Sequence, residues 1–233
     1  MDYLIEGFFG AFTLLLQGHA ETYDAVLTTI RVSSLSILIS TIIGLPLGFL
    51  LSYYNFPGKK HIRAVVDTLL SLPTVVVGLL VYAFITNKGP LGSFNLLFNT
   101  SGIVAGQVIL ILPLVVSLSA TGIDGLDARL KSTLISLGAN PRRILLSTLY
   151  EARFAAMTAA AAAYGRAISE VGISMMIGGN IKWHTRTITT AIALETGKGE
   201  FAMGIALGIV LLMISFTVNW TLSFFKKRGY DGK

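Results

Sequence analysis

The chain contains no cysteine and only three histidines in 233 residues, which removes a disulfide framework and a thiolate metal site from consideration. His19, His61 and His184 are too scattered to form a cluster, and no His, Cys or carboxylate constellation supports catalysis, so the chain is not expected to be an enzyme or to hold a metal. Charge is also scarce. With 13% charged and 53% hydrophobic residues the sequence is too apolar for a soluble domain of this length and reads as an all-α integral membrane protein. The formal charge of +6 comes from basic residues in short groups beside apolar runs, a membrane-topology signal that excludes nucleic acid as a partner. Asp2 and Glu6 stand where a secretory signal would be basic, so no cleaved targeting peptide is expected. A phosphate-binding loop is missing too. Residues 125–133, GLDARLKST, end in Lys-Ser-Thr, but Leu130 replaces the glycine that must precede the lysine, and no strand leads into the segment. Any ATP-driven process therefore requires a partner.

Five apolar stretches are long enough to cross about 30 Å of hydrocarbon. They are residues 32–54, 68–85, 103–121, 153–177 and 201–225, with prolines at 46, 73 and 113 as bends. Residues 4–17 have only a short uncharged core, so residues 1–23 are expected to form an interfacial N-terminal segment of a single 1–233 membrane domain. Residues 181–200 are too charged to span and are expected as a short helix on the outer surface. Counting Lys and Arg puts the loops around Lys59 and Arg129 and the tail at Lys226 in the cytoplasm, leaving Lys88, Lys182, Arg186 and Lys198 outside. This places the N-terminus outside and the C-terminus inside a multi-pass cell-membrane protein.

The polar, basic stretch 124–153 interrupts these spans. Leu126, Leu130, Leu134 and Leu137 share one helical face, with Arg129, Lys131, Ser132 and Ser136 elsewhere around the axis. Gly138 closes that helix, and Asn140 followed by Pro141 supplies the cap and first position of the next. The pattern predicts a cytoplasmic helix-turn-helix.

Within the spans, Gly44 to Gly48 and Gly204 to Gly208 are Gly-x-x-x-Gly patterns, read as helix packing within or between subunits. Arg166 and Glu170 lie four residues apart in the fourth span, either as a self-neutralising structural pair or as part of a pathway. Because a transporter must release its solute, a structural pair beside the pathway is the favoured expectation.

Residues 124–153 resemble the cytoplasmic loop of ATP-binding-cassette importer permeases: Gly138 matches the glycine of that loop's pattern, with Ser132, Thr133 and Leu134 occupying its Glu-Ala-Ala positions. Residues 164–200, YGRAISEVGISMMIGGNIKWHTRTITTAIALETGKGE, look like the molybdate, tungstate and sulfate branch, and most like tungstate permeases. The resemblance implies a type I importer permease fold and transport of a tetrahedral oxyanion, tungstate first and molybdate or sulfate next. It implies a second copy of the chain, two cytoplasmic ATPase subunits that hold ATP and magnesium, and an extracytoplasmic binding protein; this chain itself binds no cofactor. The ATPase-coupling loop would comprise Asp127, Arg129, Leu130, Ser132, Thr133, Leu134, Leu137, Gly138, Ala139 and Asn140, with Leu130, Leu134 and Leu137 as the apolar contact. The alternative is a self-contained secondary anion carrier or channel, against which five spans offer no paired inverted repeat.

Overall fold

The computed structural model describes residues 2–17, 19–126 and 128–231, which form ten α-helices, one 3-10 turn and no strand. In chain order they are α1 (Asp2–Leu16), α2 (Ala20–Tyr53), α3 (Lys59–Leu69), α4 (Thr74–Ile85), α5 (Thr100–Asp124), α6 (Ala128–Ser136), α7 (Pro141–Ile168), α8 (Gly172–Gly178), α9 (Ile188–Gly197) and α10 (Phe201–Asp231). Three of the described helices, α2, α5 and Phe201–Thr221 of α10, are long and apolar enough to cross a membrane. At 28 residues α7 is also long enough, at about 42 Å, but Arg142, Arg143, Glu151, Arg153 and Arg166 make it less apolar.

The pairing of α2 with α5 forms the spine of the molecule. A Cβ on Gly44 would meet Val115 at 2.8 Å, and one on Gly48 would meet the Val116 carbonyl at 2.7 Å, so the small residues let the two backbones touch. The second Gly-x-x-x-Gly pattern is split: a Cβ on Gly204 would meet the Thr196 hydroxyl of α9 at 2.8 Å, whereas one on Gly208 would meet no neighbouring element within 4 Å. The kinking prolines 46 and 113 both lie inside continuous helices.

Charged groups mark the two ends of the spine. At one end Asp124 pairs with Arg63 and accepts from Ser52, while Lys59 donates to the Ser52 carbonyl at 2.7 Å. At the other end Glu21 pairs with Lys182 and Arg186, and Arg186 reaches Asn180 at 3.1 Å. Glu21 and Ser52 are separated by about 46 Å of α2 at ~1.5 Å per residue, which leaves room for a ~30 Å hydrocarbon layer between them.

Three expected elements differ. The second span is not one helix: α3 and α4 are bent by 98° at residues 70–73. Pro73 is the reason, since it has no amide to continue the ladder and its ring keeps Leu72 out of helical geometry. The fourth span is broken between Ile168 and Gly172, into α7 and α8. Residues 181–200 do not form one surface helix. The segment turns through residues 181–187 and then enters α9, whose Ile188 and Ala191 are buried against Ala25 of α2 and Ala206, Leu207 and Val210 of α10, with Thr189 and Thr190 buried beside them in sequence. Threonines make that burial possible by saturating the backbone. The Thr29 hydroxyl accepts the Ile188 amide at 2.9 Å, Thr185 donates to the Gly178 carbonyl at 2.6 Å, and Thr187 with Thr190 forms a capping box. The N-terminal α1 packs along α10, where its Gly7 faces Ile205 and Ala202.

Candidate functional site

Two candidate sites follow from this framework, a candidate docking loop joining α6 and α7 and a junction of helix breaks among the spans. The docking loop closes with local chemistry. Gly138 takes φ +74°, its amide reaches the Ile135 carbonyl at 2.9 Å, and the Ala139 amide reaches the Leu134 carbonyl at 2.9 Å. That pair of bonds satisfies the last carbonyls of α6 in a Schellman closure. Asn140 then caps α7 by accepting the Arg143 amide at 2.9 Å, with Pro141 in the first turn. The helix-turn-helix expected from the sequence is present.

Its surface is distributed differently from the simple leucine face. Leu130 and Leu134 are half-buried, in keeping with the packing of α6 against α7. The exposed apolar groups are Ile135 at 57% and Leu137 at 77%, joined by Leu146 and Tyr150 on α7. Ile135, Leu146 and Tyr150 are not on the predicted face; the burial of Ile144, Thr148 and Ala152 at four-residue spacing is the signal that turns their side of α7 outward. Arg129, Ser132, Thr133 and Asn140 are exposed and Ala139 is half-buried, while Asp127 lies outside the described residues. The Ser132 hydroxyl donates to the Arg129 carbonyl at 2.9 Å, so it serves the helix itself. Arg153, at the base of the loop, stacks over the Tyr150 ring with 3.6 Å between guanidinium carbon and centroid.

The junction forms where the α3–α4 and α7–α8 breaks meet. A Cβ on Gly172 would lie 3.2 Å from the Thr74 hydroxyl and 3.4 Å from the Val75 side chain, so glycine permits the approach. The α7 break is built by hydrogen bonds. Ser169 folds its hydroxyl back on the Gly165 carbonyl at 2.9 Å, the Glu170 carbonyl is taken by Thr189 at 2.8 Å, and the Glu170 carboxylate accepts the Ile173 amide at 3.1 Å. With its carbonyl and carboxylate both engaged outside α7, Glu170 restarts the chain as α8.

Arg166 and Glu170 are thus not two members of one continuous helix. Glu170 is 3% exposed, whereas the Arg166 side chain is 44% exposed and stands 4.0 Å from the carboxylate. Depth follows from Gln107, which donates to the Ala167 carbonyl at 3.2 Å. Gln107 lies roughly 10 Å along α5 from its Thr100 end, so Arg166 falls within the hydrocarbon layer. A charged side chain at the centre of a span costs roughly 2.5 to 3.5 kcal/mol on insertion scales. An exposed arginine there faces water or protein rather than lipid.

The chain matches the model of the binding-protein-dependent transport system inner membrane component family over residues 44–228. It belongs to this family. The permease from Campylobacter jejuni described as the TupB subunit of a tungstate uptake system is 45% identical over 220 residues, covering 94% of this chain and 92% of that one. TupB of Peptoclostridium acidaminophilum is 36% identical, covering 94% and 96%, and ModB, the molybdenum transport permease of Escherichia coli, is 30% identical, covering 89% and 96%. Among solved structures, an inward-facing MetNI methionine ABC transporter superposes with a TM-score of 0.71 at 16% identity, covering 89% of this chain and 95% of its own. A bacterial alginate importer gives 0.73 at 17% identity, covering 94% and 82%. These two likenesses are of fold, and they make the architecture that of a type I ABC importer permease. As an inner membrane component, this family member is a multi-pass membrane protein.

Proposed function

We propose that the chain is the membrane-spanning permease of an ATP-driven importer for tungstate, with molybdate and then sulfate as the next candidate solutes. The observation that carries this reading is the 45% identity to a tungstate uptake permease across nearly the full length of both chains. Two copies would frame the pathway, two cytoplasmic ATPase subunits would seat on the α6–α7 loop, and an extracytoplasmic binding protein would deliver the oxyanion. The chain itself hydrolyses nothing and holds no cofactor; ATP and magnesium sit in the ATPase. Its work is a conformational change driven by the partner's unequal affinity for two states. The end marked by Asp124, Arg63 and Lys59 is cytoplasmic, as is the C-terminus. The Glu21 end is outer, and α1, whose Gly7 and Gly10 contact the first two turns of α10, lies with the N-terminus on that outer side.

The loop supports the ATPase partner because it presents Ile135 and Leu137 on a rigid turn next to polar Ser132, Thr133 and Ser136, a small apolar centre with a polar rim. Co-purification of the chain from its native membrane, followed by identification of the bound subunits, tests the reading. An ABC ATPase in the complex is expected. Isolation of the chain with no ATPase, together with uptake driven by an ion gradient, would make it a secondary carrier instead.

A further inference from the structure

We propose that Arg166 is the residue that holds the travelling oxyanion at mid-membrane, an inference that rests on the importer reading above. Arg166 is exposed at a depth where lipid is the wrong neighbour for a cation, yet its carboxylate partner does not quench it. The nearest Glu170 oxygen is 4.0 Å away, and the other carboxylate oxygen of Glu170 accepts the Ile173 amide at 3.1 Å. A close, bidentate pair would occupy one edge of the guanidinium and neutralise its charge; this loose one leaves the whole fork available.

The surface around Arg166 fits the same role. Thr158, Ala162 and Arg166 along one side of α7, and Ser169 at its C-cap, are exposed, a stripe with no large apolar side chain to face acyl chains. On α10 the exposed Asn219 amide, which donates to the Ser215 carbonyl at 3.0 Å, lies 4.0 Å from where a Cβ on the neighbouring Gly165 would stand. The arginine stands beside the helix break at residues 169–171, which meets the break at residues 70–73. With two copies around the pathway, two guanidinium groups supply +2, which equals in magnitude the charge of a tetrahedral dianion. The offset Glu170 carboxylates weaken that field, so the anion is attracted and still released.

The test uses the complete complex of chain, ATPase and loaded binding protein in proteoliposomes, comparing wild type with R166Q and R166K for tungstate accumulated per ATP hydrolysed. R166Q is expected to assemble and to keep binding-protein-stimulated hydrolysis within about twofold, while uptake per ATP falls at least tenfold. R166K, which keeps the charge without the planar fork, is expected to fall less. Wild-type uptake per ATP in R166Q overturns the proposal. Should R166Q fail to assemble, R166K decides: a lowered ratio with intact hydrolysis supports the contact, and an unchanged ratio makes Arg166 structural. Absence of ATP-dependent tungstate uptake in the wild-type complex defeats the importer reading itself, a different failure.

Discussion

The carboxylate of Glu170 accepts the backbone amide of Ile173 at 3.1 Å, making it the N-terminal anchor of α8 more than a counter-ion for Arg166. Replacing it separates the two roles. Glu170→Ala strands a buried amide and is expected to lower stability by about 1–3 kcal/mol, visible as a lower melting temperature in detergent. Glu170→Gln keeps an acceptor oxygen and should lose distinctly less. Equal losses for the two variants would mean that charge, and hence pairing with Arg166, is what matters.

Gly138 is strained for any other residue by its conformation alone, because φ is +74° and no atom lies within 4 Å of a Cβ placed there. Gly138→Val is therefore expected to cost on the order of 1–3 kcal/mol locally without blocking membrane insertion. ATPase binding and transport should fall together. A Gly138→Val complex that assembles and transports normally would remove the loop from the docking surface.

Gly48 and Gly208, one from each Gly-x-x-x-Gly pattern, are expected to behave oppositely. Gly48→Ala forces a methyl against the Val116 carbonyl and the Ser119 side chain, both under 3 Å away, an overpacking of about 1–3 kcal/mol. Gly208→Ala meets open space and removes a helix-breaking glycine, so stability should hold or rise. Melting temperatures of the two variants check the contrast. A drop in dimer yield confined to Gly208→Ala would place that face against the second copy.

At the Ser52 end of α2, Arg63 and Asp124 tie α3 to α5, but both side chains are roughly a third exposed. Asp124→Asn is expected to cost less than about 1 kcal/mol, with the effect shrinking as salt is raised. A larger, salt-independent loss would show that the Ser52 contact, not the ion pair, holds the bend.

The contrast between the docking loop and the broken spans explains what can be read from the sequence. The loop is legible because its determinants are local: glycine for a positive φ, asparagine for a cap and proline for a first turn all act within a few residues of each other. The breaks are not, because hydropathy runs unbroken through residues 68–85, and the interruption at Glu170 depends on Thr189, 19 residues away in sequence. Burial of α9 has the same origin. Its charged flanks suggest an outer surface, while its backbone is satisfied by Thr29 of α2, which accepts the Ile188 amide, and by Thr187 and Thr190, which also bond each other. Likewise the exposed Ile135 and Leu137 separate from half-buried Leu130 and Leu134 only once α7 is packed beneath α6.

The most direct test of the central claim is tungstate accumulation in proteoliposomes that contain this chain and its ATPase, with the binding protein on the side of the Glu21 end and ATP on the side of the docking loop. Accumulation is expected to require ATP, the ATPase and loaded binding protein together, and none is expected with the chain alone. Accumulation by the chain alone under an ion gradient, or no accumulation when all components are present, would contradict that claim.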